Sequence, residues 1–278
     1  MFFVVIIWSA VFPLSKIVQD NISPYAFIFY RSVVSGLVCF IFMIFQKKKR
    51  ISQWKLIAGS SFCFIVTMTS LSKAVSYIDS SLSAFIFSTS IVFVTAIESF
   101  LRKKHPTKRQ IIGIIICLVG AILMIENLKF EMQSIKGVLF CLLGTISSSL
   151  GVIIINKVSF NSTDSSVRNV FLQNILCFIF SLVFFNEGIK DFPNVNMSSL
   201  WIILYCSIFS SIISIIMQFY AQKKISSQSA VIIIMLEPLF AAIMSVFILR
   251  ENIFSVKFIS GAILIIGSLI FTSLKKTE

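Results

Sequence analysis

The sequence predicts an all-α integral membrane protein, with ten transmembrane helices arranged as two inverted five-helix repeats. Three observations carry that prediction. The 278-residue chain is 57% hydrophobic and only 13% charged, with a mean hydropathy of +0.98. Soluble domains run at about 45–50% apolar and about 25% charged, so this chain has too few charges to cover a surface in water. Its apolar residues fall in runs of about 20, the length that crosses a hydrocarbon core as a helix. A membrane β-barrel would instead show alternating segments of about ten residues. Finally, Lys and Arg gather in alternate connections, as the positive-inside bias requires.

Taken in order, the spans are 2–18, 24–45, 54–77, 81–101, 109–126, 135–156, 166–186, 199–222, 228–249 and 256–273. Their connections are short and leave no room for a soluble domain. The first run starts at Met1 with no basic segment ahead of it, and "QDNIS" follows where a cleavage site would need small residues. It is therefore expected to stay as the first helix. With the N-terminus in the cytoplasm, 16 basic residues lie on the inside and five on the outside; Lys16, Arg31 and Lys73 lie within spans. The expectation is a multi-pass cell-membrane protein with both termini cytoplasmic. The net charge of +13 thus reports topology, and no nucleic-acid partner is expected. Trp54 and Trp201 open the third and eighth spans, where interfacial indole rings are favoured. Trp8 falls near the middle of the first span, which leaves two readings: packed or lipid-facing bulk, or an aromatic wall of a central cavity.

The six cysteines (Cys39, Cys63, Cys117, Cys141, Cys177 and Cys206) all lie inside apolar stretches, and the single histidine, His105, lies in a basic connection. None has C-x-x-C spacing. Neither a metal site nor a cofactor is expected, and the cysteines read as small buried hydrophobes.

The polar residues within spans narrow the function. Glu237 sits near the middle of span nine, where insertion of an acid costs about 2.5–3.5 kcal/mol, so it should face the bundle interior or water. Pro238 behind it has no N–H and clashes with the carbonyl of Ile234, which interrupts the helix. Broken backbone at that depth is tolerated where it lines a cavity or is satisfied by neighbours. Pro13 does the same in span one, close to Trp8. Arg31 lies about 10 Å beyond Pro24 at 1.5 Å per residue, too deep to reach the interface comfortably, which favours a cavity or an acidic partner. Lys16 and Lys73 lie within a turn of the outer interface and can snorkel. Glu98 and Arg102, four residues apart, read as a structural pair. Small residues at Gly113/Gly120, Ser260/Gly267 and in "GTISSSLG" (144–151) read as packing seams.

Residues 83–125 register over 230–272 at a constant offset of 147, with Phe93 on Phe240 and Gly120 on Gly267. Five spans per half invert the second copy, and the basic "RKKHPTK" accordingly becomes "RENIFSV". At these residues "LEPLFAAIMSVFILRENIFSVKFISGAILIIG" (236–267) resembles the second repeat of EamA-like permeases of the drug/metabolite transporter superfamily. "WSAVFPLSK" (8–16) and "SPYAFIFYR" (23–31) resemble that family's first two helices, with Lys16 and Arg31 at its basic positions. Departures are Ile91 where the family has proline, Lys104 where it has glutamate, and Ser260 opening the last helix. The resemblance implies a first EamA-like repeat over 1–126 and a second, inverted one over 127–278.

Secondary transporters place their sites near the midplane on interrupted helices. The expected function is therefore a secondary active transporter that moves small metabolites such as amino acids by alternating access; export is what the resemblance implies. No Walker A motif is present to support ATP hydrolysis. The alternatives are a channel, which would want rings of like polar groups, or a membrane-embedded enzyme, which would need a nucleophile with a base or a metal cluster. Substrate-binding or pathway candidates are Glu237, Pro238, Trp8, Pro13, Lys16 and Arg31. The expected partners are a small-molecule substrate and the lipid bilayer; a monomer and a homodimer both fit.

Overall fold

A computed structural model describes residues 1–45, 53–102, 107–125, 132–161, 166–225, 230, 233–234, 236–251 and 255–273. Among them there is no strand. The chain runs through α1 (Phe2–Ser9), α2 (Val11–Val18), α3 (Pro24–Ile44), α4 (Trp54–Val75), α5 (Ser80–Ser88), α6 (Ser90–Arg102), α7 (Lys108–Ile125) and α8 (Met132–Asn161). It continues with α9 (Ser166–Ser181), α10 (Phe185–Asp191), α11 (Met197–Tyr205), a π-helical segment (Cys206–Ile213), α12 (Ser214–Gln222), α13 (Glu237–Leu249) and α14 (Val256–Ser273). Among the described residues, six stretches are long and apolar enough to cross a membrane: Pro24–Ile44, Trp54–Val75, Ser80–Leu101, Met132–Val158, Val167–Asn194 and Met197–Gln222. Phe2–Val18, Glu237–Leu249 and Val256–Ser268 are shorter apolar helices.

The distribution of side chains is that of a protein solvated by lipid. Phe45, Phe100, Val183, Phe247 and Val256 are each more than 80% exposed. Ser9, Ser61, Ser80, Ser83, Thr145, Ser207, Ser214 and Ser245, by contrast, are wholly buried. Hydrocarbon tails solvate apolar side chains, while polar groups find partners only within the bundle. Trp54 and Trp201 are exposed at helix starts, as interfacial anchors are. The chain is a multi-pass membrane protein.

Local signals set several boundaries. Ser23 caps α3 by accepting from the Ala26 N–H at 3.2 Å, and Pro24 takes the first turn, where its missing N–H costs nothing. Asn196 caps α11 through the Ser199 N–H at 2.7 Å. Among the described residues, apolar segments are interrupted at Ala10 between α1 and α2, at Thr89 between α5 and α6, and at Leu236 ahead of α13. Pro13 and Pro238 follow two of these breaks and withhold a donor from each. Thr89 breaks its helix with no proline nearby; its ψ is 0° and its hydroxyl donates to the Ile86 carbonyl at 2.7 Å, supplying an alternative to the helical ladder. Span nine, expected as 228–249, holds α13 from Glu237 onward, with Ala230, Ile233 and Ile234 helical ahead of it and a turn at Leu236.

Two seams hold the bundle. Along α4 and α8, Thr67 Oγ1 donates to the Gly144 carbonyl at 3.3 Å and Ser147 Oγ to the Cys63 carbonyl at 3.0 Å. This is the "GTISSSLG" face. Between α7 and α14, a Cβ on Gly120 would stand 2.8 Å from the Gly261 carbonyl, so only glycine allows that approach. The expected contribution of Gly267 is corrected: nothing lies within 4 Å of its missing Cβ position. Each helical residue advances about 100°, and the face turned to α7 carries Gly261, Leu264 and Ile265 instead. Glu98 is buried; the Arg102 side chain, its expected partner, lies outside those described.

Candidate functional site

The helix breaks converge on a cavity of about 70 Å³, several times the space that one ordered water needs. Its walls are largely apolar, with Phe12, Phe27, Phe64, Leu71 and Phe87 prominent. Three of the candidates read from the sequence, Trp8, Arg31 and Glu237, meet there. Pro13 and Pro238 are buried but shape the backbone beside the cavity and do not line it. Lys16 stands apart.

Arg31 reaches the cavity from the second turn of α3 and is 2% exposed. Its Nε donates to Ser211 Oγ at 2.8 Å and its Nη2 to Ser210 Oγ at 2.8 Å. Nη1 lies 3.1 Å from Met68 Sδ, and the guanidinium stands 5.9 Å from the Phe64 ring centroid. Among the described residues no carboxylate is recorded within ion-pair distance of it. Of the two environments that its depth implies, the structure gives it the cavity. Two hydroxyls fix the planar fork of the guanidinium, a geometry that a lysine could not reproduce.

Those hydroxyls come from the π-helical segment. A π turn carries one extra residue and weakens the backbone ladder locally, and such turns recur at functional sites. Here the loosened groups find side chains: Ser211 Oγ donates to the Cys206 carbonyl at 3.0 Å, and the indole N–H of Trp8 donates to Ser214 Oγ at 2.7 Å and to the Ser210 carbonyl at 3.1 Å. Trp8 is thus a cavity wall held in orientation by the π-helical segment and the first residue of α12, beside the hydroxyls that hold Arg31.

Glu237 opens α13 and is 3% exposed. Ser9 Oγ donates to its backbone carbonyl at 3.0 Å, tying the break before α13 to the end of α1. Its carboxylate Oε2 is buried and has no hydrogen-bond partner, a costly state that a bound group would relieve. The cavity is therefore lined by one buried basic side chain and one buried acidic one.

Lys16 lies at the end of the bundle where the α2–α3, α4–α5 and α13–α14 connections gather. Its Nζ is 3.1 Å from Asp79 Oδ1 and 3.1 Å from Glu251 Oε1. Glu251 also accepts from the backbone N–H groups of Ser80 and Ser81 at 2.9 and 3.1 Å, and from both hydroxyls at 2.8 and 2.7 Å. It occupies the N-terminus of α5, where the helix dipole favours an anion. Burial pushes the Glu251 carboxyl up, yet the Ser81 hydroxyl, Lys16 and the Ser80 donors outweigh it and hold the carboxyl below its ordinary value. Lys73, also expected to snorkel, places its ammonium 4.5 Å from the Tyr25 ring centroid, a cation–π contact.

Sequence reasoning missed Gln173, Gln218, Ser210 and the Asp79–Lys16–Glu251 cluster. Gln173 and Gln218 line the cavity and are almost fully buried; a glutamine within an apolar run of α9 was the available signal. Among the described residues no three His, Cys, Asp or Glu side chains gather as a metal site would require.

Comparison with known proteins agrees with a transport role. Over 268 residues the chain is 28% identical to an uncharacterized transporter of Buchnera aphidicola subsp. Schizaphis graminum, covering 91% of this chain and 86% of that one. An uncharacterized transporter of Archaeoglobus fulgidus is 27% identical over 272 residues, covering 98% and 84%. A solved crystal structure of a protein 12% identical superposes with a TM-score of 0.69 over 98% of both chains, which shows a shared fold. The EamA-like transporter family model matches residues 1–126 and 135–274, so with nearly its whole length accounted for, the chain belongs to the EamA-like transporter family.

Proposed function

We propose that this protein is a secondary active transporter that exports small metabolites such as amino acids across the cytoplasmic membrane by alternating access. The observation that carries the reading is the cavity itself: a buried arginine with free charge and a buried glutamate with an unpartnered oxygen, both beside interrupted helices. An α-amino acid presents the complementary pair, a carboxylate for Arg31 and an ammonium for Glu237. Interrupted helices at mid-membrane are where transporters bind such groups.

The proposed architecture is ten spans in two inverted repeats, 1–126 and 127–278. Its support lies in the helix breaks as well as the sequence. Thr89 and Leu236 are 147 positions apart, the offset that aligns the two halves, so each half carries an interruption at the same register. The Asp79–Lys16–Glu251 cluster supports alternating access, because it ties α2, α5 and the end of α13 together at one end of the cavity and must open when that end does.

The test is counterflow in proteoliposomes preloaded with an unlabelled amino-acid mixture. Saturable accumulation of a labelled amino acid against its gradient is the expected result. Linear, non-saturating flux indicates a channel, and no flux with any amino acid removes the substrate assignment.

A further inference from the structure

The two charges of the cavity are matched by the backbone groups common to all amino acids, so they do not distinguish one side chain from another. Gln173 does. It projects from the middle of α9 into the cavity wall and is 0% exposed, and neither Oε1 nor Nε2 has a hydrogen-bond partner. The next residue shows that partners are available on this helix: Asn174 Nδ2 donates to the Ser211 carbonyl at 3.0 Å and to the Val170 carbonyl at 3.0 Å. About 100° around the helix, Gln173 lies away from those carbonyls and among the residues that line the cavity. A buried carboxamide left without donors or acceptors is destabilising, and an apolar side chain of the same length would fill the position without that penalty.

We propose that Gln173 is a specificity-determining residue that reads a neutral hydrogen-bonding group on the substrate side chain, a hydroxyl or a carboxamide. A primary amide offers two donors and one acceptor. A carboxylate would engage Nε2 alone and leave Oε1 facing negative charge; an ammonium would engage Oε1 alone and leave Nε2 unused. Only a neutral group that both donates and accepts satisfies the two ends together. Charge is already supplied by Arg31 and Glu237, so a third, neutral contact selects among substrates without altering the balance of the pair. The inference rests on the reading of the cavity as an amino-acid site.

The test is equilibrium binding to the purified full-length protein with two tritiated pairs of similar shape, L-threonine against L-valine and L-glutamine against L-methionine. The wild type is expected to favour the polar member of at least one pair by about tenfold, the effect of one well-made hydrogen bond in a dry site. Gln173→Met, which keeps length and removes both polar atoms, is expected to bring that ratio to within about twofold. Gln173→Glu keeps the shape and an acceptor, and is expected to weaken both members of the pair while folding normally by size-exclusion profile. Equal binding of both members to the wild type, or a polar preference that survives Gln173→Met, overturns the proposal. A raised melting temperature in Gln173→Met with unchanged ratios also overturns it, because the amide would then be only a structural burden. Absence of binding by all four probes overturns the amino-acid assignment of the cavity, and the role of Gln173 with it.

Discussion

At the scale of single residues, Glu237 and Arg31 make different demands on their surroundings. Arg31 has two hydroxyls fixing its orientation, whereas one carboxylate oxygen of Glu237 has none. Glu237→Gln keeps the shape and removes the charge. It is expected to insert and fold yet lose most transport, and the flux that remains should no longer vary with pH; proteoliposome uptake measured from pH 5.5 to 8 checks this. Glu237→Asp, one methylene shorter, should retain partial activity. Arg31→Ala is expected to abolish most uptake at normal expression, and Arg31→Lys to recover little, because an ammonium lacks the planar fork that meets Ser210 and Ser211 together. Trp8→Phe removes the indole donor together with part of the ring that forms the wall, and should cost about 1–3 kcal/mol of stability in a thermal melt. Of these residues, Glu237 and Arg31 were legible from the sequence because a charge deep in an apolar run is costly wherever it points. Gln173 was not, since an uncharged amide in such a run carries a smaller penalty and no spacing marks it.

Between elements, the packing depends on close approach and on one ionic cluster. Gly120→Ala would push a methyl group against the Gly261 carbonyl, which as backbone cannot rotate away, and α7 and α14 would separate. A loss of about 1–3 kcal/mol is expected, read as a lower melting temperature, whereas Gly267→Ala should be neutral because open space surrounds it. The Glu251 cluster has a defined pH signature. Its carboxyl lies below the ordinary value of 4.5 when folded, so its stabilisation is complete above that value and is lost as pH falls through the lower folded value. Glu251→Gln should therefore melt below the wild type at pH 7, and the gap should close in melts taken at progressively more acid pH. Neither acidic partner of Lys16 was legible beforehand. Lys16 meets Asp79 and Glu251 across 63 and 235 positions of sequence, and only the gathering of three connections at one end brings them together. The break at Thr89 was equally hidden, since its cause is a hydroxyl and not the proline that marks the other two.

For the whole molecule, hydropathy and the distribution of Lys and Arg were enough to give a multi-pass helical membrane protein, because the bilayer constrains both run length and loop charge. The orientation that follows is testable by cysteine labelling on a background lacking the six native cysteines. Asn194→Cys should react with an impermeant reagent from outside the cell and Ser52→Cys only after permeabilisation; the reverse pattern would invert the topology. The interior polarity was less legible. Periodicity separates lipid-facing from buried positions only when the two differ in character, and here many buried positions are serine while exposed ones are aliphatic, so the usual amphipathic signal is blurred.

The π-helical segment has a consequence for how this chain tolerates changes in length. Its wide turn holds one residue more than an α-helix of the same rise, so deleting a single residue such as Ile208 could restore regular helix without shortening the span. The deletion would close the wide turn and draw its own residues around the axis, while the helix on either side kept its register. Ser210 and Ser211, which sit in that turn, would then no longer both meet Arg31. Such a deletion variant would be a more regular membrane helix and yet leave the Arg31 guanidinium without the two hydroxyls that orient it. In this segment the irregularity is what orients the arginine, and regularity would be the lesion.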